Sequence, residues 1–334
     1  MENFNIILLF ILGVVIIIKG GDWFVESAVW VAKVTGIPNV IIGATIISIA
    51  TTLPEQLVSI IATYQGHYDV AIGNALGSVI CNIGLILSVS LIFSPSQVVN
   101  RDYSIKSIYM LISAVILFLF SIDLVVSKLE GIILLVLCVV YFIVNIIEIR
   151  KGNKAVNQQL DDLKASKKLL KHNLVRFILG TAFIVLGARL LVNNGVKLAT
   201  MLGASQQVIS LTLVALGTSL PELVTAVSSI IKKEYGIAVG NIIGANILNM
   251  LLVVGVSTQF SSVGLEISNQ LAKIGGNINY YIPQTLYYDL PVAILMIATL
   301  TVFGTIFKKL NKVIGGILLT TYVLYLAGLL NVFI

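Results

Sequence analysis

Thr51-Thr52-Leu53-Pro54-Glu55 returns further along the chain as Thr218-Ser219-Leu220-Pro221-Glu222, and each copy lies inside a long apolar run. Placing a carboxylate at the centre of a bilayer costs about 2.5–3.5 kcal/mol even on lenient insertion scales, so an acid within a membrane span marks a functional site by default. This chain carries two such acids in matching phrases. The composition around them agrees: 58% of residues are apolar and 11% charged, and the mean hydropathy is +1.03, whereas about a quarter of a soluble domain is charged. The reading is an all-α integral membrane protein. A net charge of +6 would suit nucleic acid, but the basic residues sit between the apolar runs, where they set membrane orientation instead. Cys81 and Cys138 fall inside apolar segments, where thiols pack as small hydrophobes, and they imply no disulfide framework. The apolar run from Phe4 is longer than a signal-peptide core and has no basic flank before it, so it reads as the first span.

A helix needs about 20 mostly apolar residues to cross the hydrocarbon core. The chain divides into ten such stretches, at 5–31, 38–63, 69–92, 106–127, 130–149, 173–197, 205–231, 236–257, 288–307 and 312–333. The longest basic linker, Arg150 to Arg176, holds Lys151, Lys154, Lys164, Lys167, Lys168 and Lys171, and the positive-inside rule places it in the cytoplasm. Five spans precede it, so the N-terminus is outside, and ten spans in all put the C-terminus outside as well. The other loops agree. Lys33, Arg101, Lys106, Lys232, Lys233, Lys308, Lys309 and Lys312 fall in inner loops and bring the inner total to sixteen of 21 basic residues, against Lys128, Lys197 and Lys273 outside. Lys19 and Arg189 remain, inside the first and sixth spans. Lys19, Asp22 and Glu26 are spaced three and four apart, so they share a helix face and partly neutralise one another. His67 and Asp69, between spans two and three, read as solvated loop residues, and 257–289 reads as an outer loop with a short surface helix.

A shift of 167 residues, the distance from Glu55 to Glu222, aligns the two halves without a gap from Gly13 to Asn82. Gly13 meets Gly180, Gly36 meets Gly203, Gly73-Asn74 meets Gly240-Asn241, Gly77 meets Gly244, and Asn82 meets Asn249. Each half holds five spans, an odd number, so the second copy enters the membrane from the opposite side. The expected organisation is ten transmembrane helices in two inverted five-helix repeats, with residues 1–149 as the first repeat, 150–172 as a cytoplasmic basic linker and 173–334 as the second. Inverted repeats place a binding site near the midplane, between discontinuous helices.

Proline inside a helix cannot donate to the carbonyl four residues back, and its ring crowds that turn. Pro54 would release carbonyls around Ala50 and Thr51, and Pro221 those around Gly217 and Thr218. Free carbonyls at membrane depth are tolerated only beside protein, water or a ligand. Glu55 and Glu222 follow these prolines directly, and Thr51, Thr52, Thr218 and Ser219 add hydroxyl oxygens. Such an all-oxygen set is what a hard cation such as calcium takes, with six to eight ligands at about 2.3–2.6 Å; neither His67 nor the cysteines fall near it, so zinc and copper are not favoured. Asn82 and Asn249 offer neutral oxygen donors that complete the cage without adding charge. The glycines of the Gly73 and Gly240 segments read first as helix-packing residues, and single hydroxyls such as Thr45 and Thr225 as bonded to their own backbone.

These residues resemble the two alpha-repeats of the sodium/calcium exchangers within the cation/calcium antiporter superfamily, most specifically at Ser48 to Glu55 with Gly73 to Asn82 and at Ala215 to Glu222 with Gly240 to Asn249. The resemblance implies a ten-helix bundle in which the central eight helices surround four ion sites, while the first and sixth spans slide across the core in alternating access. It implies that Glu55 and Glu222 are the calcium-binding acids, joined by the carbonyls of Thr51 and Thr218. Glu222 with the Ala215 carbonyl and Thr218 matches the outward sodium site, and Glu55 with the Ser48 carbonyl, Thr52 and Ser78 the inward one. Asn82, Asn249 and Ser219 surround the middle. Some relatives carry aspartate in place of Asn249; asparagine resembles the potassium-independent exchangers. Ala245 stands opposite Ser78 where a hydroxyl is expected, which leaves the number of sodium ions per calcium open. Val79 opposite Asn246 is a lesser irregularity.

The expected activity is antiport of calcium out of the cell against sodium, across the cell membrane. A proton/calcium antiporter of the same fold is the alternative, although such relatives tend to carry a further acid soon after the Gly-Asn pair, where this chain has Gly77 and Gly244. Oxygen ligands alone leave magnesium and manganese open, and a passive cation channel would need no counter-ion. No nucleophile and base pair points to an enzyme. The implied partners are calcium and sodium ions and membrane lipids, with no resident cofactor, nucleic acid or obligate protein partner. The central linker is too short for the large regulatory domains of animal exchangers.

Overall fold

The computed structural model describes residues 2–35, 37–93, 97–98, 101–152, 167–201, 217, 219–274 and 278–333. Eight helices among them are long and apolar enough to cross a membrane. They are α1 (Glu2–Thr35), α2 (Asn39–Tyr64), α3 (Tyr68–Phe93), α4 (Arg101–Phe120), α5 (Lys128–Gly152), α8 (Tyr235–Gln259), α9 (Thr285–Phe307) and α10 (Lys312–Val332). Each overlaps one of the ten expected spans. The sixth span lies within α6 (Lys167–Met201), and the seventh is described only in its last part, α7 (Leu220–Ile231). Short strands β1 (Gln97–Val98) to β6 (Lys309–Leu310) form two-residue to five-residue ladders between helices.

The 167-residue repeat is visible in the elements themselves. The regular part of α3, Tyr68–Cys81, has its counterpart in Tyr235–Leu248 of α8, with both ends at that offset. Each stretch then passes into a wider π turn whose first residue is the repeated asparagine, Asn82–Leu87 in α3 and Asn249–Val253 in α8. Such turns are rare and cluster at functional sites.

The chain divides into two compact units, residues 1–54 with 145–241, and residues 55–144 with 242–334. In the first, α1 and α6 pack along a glycine seam. A methyl group added to Gly20 would stand 2.8 Å from the Ile184 amide nitrogen and 2.9 Å from the Gly180 carbonyl oxygen; one added to Gly187 would stand 2.8 Å from the Ile17 amide nitrogen and 2.9 Å from the Gly13 carbonyl oxygen. The two contacts are the same contact displaced by the repeat, and the order of partners makes the helices antiparallel. Lipid gives helices no hydrophobic reason to associate, so close backbone approach through small residues supplies the attraction. Phe24 stacks on Phe177 at 4.7 Å and Trp23 on Phe183 at 5.3 Å beside the seam. Gly240 of α8 makes another close approach, a methyl there falling 2.3 Å from the Val40 carbonyl oxygen. The expected pairing of Asp22 and Glu26 within α1 is corrected: Glu26 pairs with Arg176 at 3.1 Å and Lys232 at 3.0 Å, and Asp22 with Lys232 at 3.6 Å. The acids thereby tie α1 to α6 and to the end of α7.

In the second unit, α3 and the later part of α8 form the buried centre, with Ile72, Leu76, Val79, Ile243, Ile247 and Leu251 at or below 1% exposure. Tyr103 of α4 donates to the Leu300 carbonyl at 2.9 Å, and Thr301 of α9 donates to the Ser107 carbonyl at 3.1 Å. Three sequence expectations change here. Lys106, expected in an inner loop, is buried at 2% exposure within α4, because that helix starts at Arg101 with Asp102 in its first turn, where an acid suits the positive end of the helix. The expected surface helix within 257–289 is absent among the described residues. Instead β3 (Gly264–Glu266) pairs with β2 (Val125–Ser127), and β4 (Gln270–Ile274) with β5 (Ile278–Ile282). Asp289 closes the π turn that opens α9, where it accepts from the Tyr325 hydroxyl at 2.9 Å and from the Gln284 amide at 3.4 Å. Those donors are what allow a carboxylate to sit inside a span.

Candidate functional site

The first copy of the repeated phrase lies on α2, where Pro54 stands inside the helix that runs Ser48–Tyr64, as expected. Ser48, Thr51, Thr52 and Glu55 are all buried, Glu55 without exposed surface. The Thr52 hydroxyl oxygen has no hydrogen-bond partner, which leaves it available as a ligand. In the first unit the Thr51 hydroxyl donates to the Asn241 side-chain oxygen at 3.2 Å, with the Ser48 carbonyl at 3.4 Å. In the second unit Asn74 of α3 donates its amide to the Glu55 carbonyl at 3.1 Å and to the Ser59 hydroxyl at 3.0 Å. The asparagine of each Gly-Asn pair thus braces the phrase, Asn74 holding the turn that carries Glu55 and Asn241 holding Thr51.

In the second copy the described helix α7 begins at Leu220 with Ser219 as its N-cap residue, Pro221 among its first positions and Glu222 in its first turn, while residues 202–216 and 218, which precede it in the expected span, lie outside the described residues. Proline is favoured at first positions, since the first amides of a helix have no intrahelical acceptor, and the positive end of the helix favours a carboxylate. Glu222 has no exposed surface, Ser219 is buried, and the Thr51 side chain lies beside the Glu222 carboxylate within the first unit. Thr218 and Ala215 lie outside the described residues.

The remaining ligand candidates belong to the second unit. Ser78 is buried, and Asn82 and Asn249 have no exposed surface. The Asn82 side-chain nitrogen donates to the Asn246 side-chain oxygen at 3.0 Å, and neither end of the Asn249 amide has a partner. Sequence reasoning did not place Asn74, Asn241 or Asn246 at the site. The recurrence of Gly-Asn at the repeat offset was the signal for the first two, while the pairing of Asn246 with Asn82 bridges 164 residues and leaves no local trace. Gly73 and Gly77, read as packing residues, face open space, since a methyl on either meets nothing within 4 Å. Thr45 and Thr225 bond the Ile41 and Pro221 carbonyls of their own helices, as expected. His67, Lys19 and Arg189 are exposed. Asp69 accepts from the backbone amide of Ser268 at 2.9 Å and from its hydroxyl, so it anchors a loop. Cys81 and Cys138 are buried and form no disulfide. Among the described residues no three His, Cys, Asp or Glu side chains converge as a metal cluster. Any cation bound here would draw on carbonyl, hydroxyl and amide oxygens around single carboxylates, which suits a hard ion.

The family model described as sodium/calcium exchanger protein matches residues 5–147 and 172–331. The chain is 30% identical to sodium/calcium exchanger MaX1 of Methanosarcina acetivorans over 96% of this chain and 97% of that one. It is 38% identical to the inner membrane protein YrbG of Escherichia coli over 74% and 77% of the two chains. Its fold matches the solved structure of the sodium-calcium exchanger NCX_Mj with a TM-score of 0.78 and 29% identity, covering 97% of this chain and 98% of that one. A multi-pass membrane chain whose two halves repeat a buried glutamate behind a proline, and whose whole length follows these relatives, belongs to the sodium/calcium exchanger family of ion transporters.

Proposed function

We propose that this protein is a secondary antiporter of the cell membrane that moves calcium out of the cell against entering sodium by alternating access, with both termini outside. The observation that carries this reading is the pair of repeat-related glutamates, each without exposed surface, Glu55 in a helix long and apolar enough to cross a membrane and Glu222 in the shorter apolar helix α7. They serve as shared ligands, with the carbonyls of Thr51 and Thr218 joining them at the calcium position. Ser48, Thr52 and Ser78 complete one sodium site with Glu55; Ala215 and Thr218 complete the other with Glu222; Asn82, Asn249 and Ser219 line the middle. Inversion of the two repeats is supported by the reciprocal seam of α1 and α6, in which antiparallel helices meet through equivalent glycines. The same seam would let α1 and α6 move as one body.

The mechanism is charge competition. One calcium ion or several sodium ions neutralise the two carboxylates, and either load permits the conformational step. The bare, doubly negative site resists that step because desolvating uncompensated carboxylates is costly. Obligatory loading makes the transport an exchange and suppresses leak. Calcium-45 uptake into proteoliposomes under an imposed sodium gradient tests the reading. Uptake that follows the sodium gradient supports it; uptake driven only by a proton gradient with sodium absent assigns proton coupling instead, and uptake indifferent to any counter-ion assigns a channel.

A further inference from the structure

We propose that Asn246 is a positioning residue that sets the orientation of Asn82 and so decides which end of that amide meets a cation, an inference that rests on the exchange reading above. An amide has one accepting end and one donating end, and only its oxygen can ligate a cation. The Asn82 nitrogen is committed to the Asn246 oxygen at 3.0 Å. This leaves the Asn82 oxygen buried with no hydrogen-bond donor. A desolvated carbonyl in that state is unfavourable until something positive faces it, and a hard cation supplies that. Losing the Asn246 acceptor would free the Asn82 amide to turn its hydrogens toward the ion.

The arrangement exists on one side of the repeat only. The counterpart of Asn82 is Asn249, and both open π turns at the same offset. The counterpart of Asn246 is Val79, which offers no acceptor, and neither end of the Asn249 amide is bonded. Asn82 is therefore a pre-oriented ligand and Asn249 an adjustable one. Asn246 also directly follows Ala245, the position where the expected hydroxyl is missing, so the second repeat contributes an orienting amide next to the oxygen it lacks.

Sodium-driven calcium-45 uptake by reconstituted variants tests this. Asn246→Val should raise the half-saturating calcium concentration by about tenfold, the effect of one misdirected ligand, while the maximal rate changes by less than about threefold. Asn246→Asp, which can only accept, should hold Asn82 in the ligating orientation and keep the parental half-saturation or lower it. In an Asn82→Ala background, where no amide remains to be oriented, adding Asn246→Val should change half-saturation by less than about twofold, because effects exerted through one group do not add. Parental half-saturation in Asn246→Val, or a shift of the same size with and without Asn82, would overturn the assignment. Asn246→Ala carries the same expectations should the valine variant not be recovered folded. A parent protein that moves no calcium overturns the exchange reading and this inference together; an active parent with an unaffected valine variant overturns this inference alone.

Discussion

The phrases around Pro54 and Pro221 differ at one residue, Thr52 against Ser219, yet the backbone passes through them in different ways. Pro54 interrupts the amide ladder of a helix that continues on both sides, whereas Pro221 helps to start a helix. The difference teaches that the repeated motif fixes the chemistry, a glutamate next to uncommitted backbone groups, without fixing the fold around it. An interior proline gives its glutamate freed carbonyls as neighbours, which attract cations. An initiating proline places its glutamate by the amides of a first turn, which steady the carboxylate itself. Two acids of one sequence thus occupy unlike electrostatic settings.

The largest expected effect comes from the acids. Glu55→Gln and Glu222→Gln should each reduce sodium-driven calcium uptake to the level of protein-free vesicles; full activity in either variant would mean that the halves are not partners in one site. A smaller contrast separates the repeated glycines. Gly240→Ala forces a methyl to 2.3 Å from the Val40 carbonyl and should destabilise the protein by about 1–3 kcal/mol, the usual cost of overpacking. Gly73→Ala meets nothing within 4 Å and should stay within about 0.5 kcal/mol of the parent. Thermal unfolding in detergent distinguishes them, and equal shifts would erase the asymmetry.

Exchanging the prolines probes the comparison directly. Pro54→Ala restores an interior amide and should raise stability by about 1 kcal/mol or more while slowing transport. Pro221→Ala replaces a proline among the first positions of α7 and should lower stability by less than about 1 kcal/mol, through the freer unfolded chain. The smallest effect belongs to Glu26→Gln. Its partners Arg176 and Lys232 are partly solvated, so the loss should be below about 1 kcal/mol and smaller still at high salt; a larger loss would show that these pairs couple the elements they join.

Much of this is legible in the sequence. The expected spans 69–92 and 236–257 begin at the offset between Glu55 and Glu222, and the observed helices Tyr68–Cys81 and Tyr235–Leu248 keep that offset at both ends, because the apolar pattern that makes a helix repeats along with the motif. Buried hydroxyls and amides at Thr51, Thr52, Ser78, Asn82 and Asn249 were also legible, since polar residues inside apolar runs must face protein or ligand. Other features depend on partners distant in sequence. Asp289 reads as a loop residue until Tyr325 is known to donate to it, and Asn246 reads as an irregularity until Asn82 is found against it. Whether a proline lies inside a helix or among its first positions is not written in a motif that reads almost alike in both copies.

The seam of α1 and α6 carries a last consequence. Gly20 meets Ile184 as Gly187 meets Ile17, residue for residue and at equal distances. A surface that recognises its own duplicate is the hallmark of an isologous dimer. The seam has the form of a homodimer interface written into one polypeptide, so a substitution on one side alone breaks a symmetry that a matched pair of substitutions, one in each repeat, would preserve.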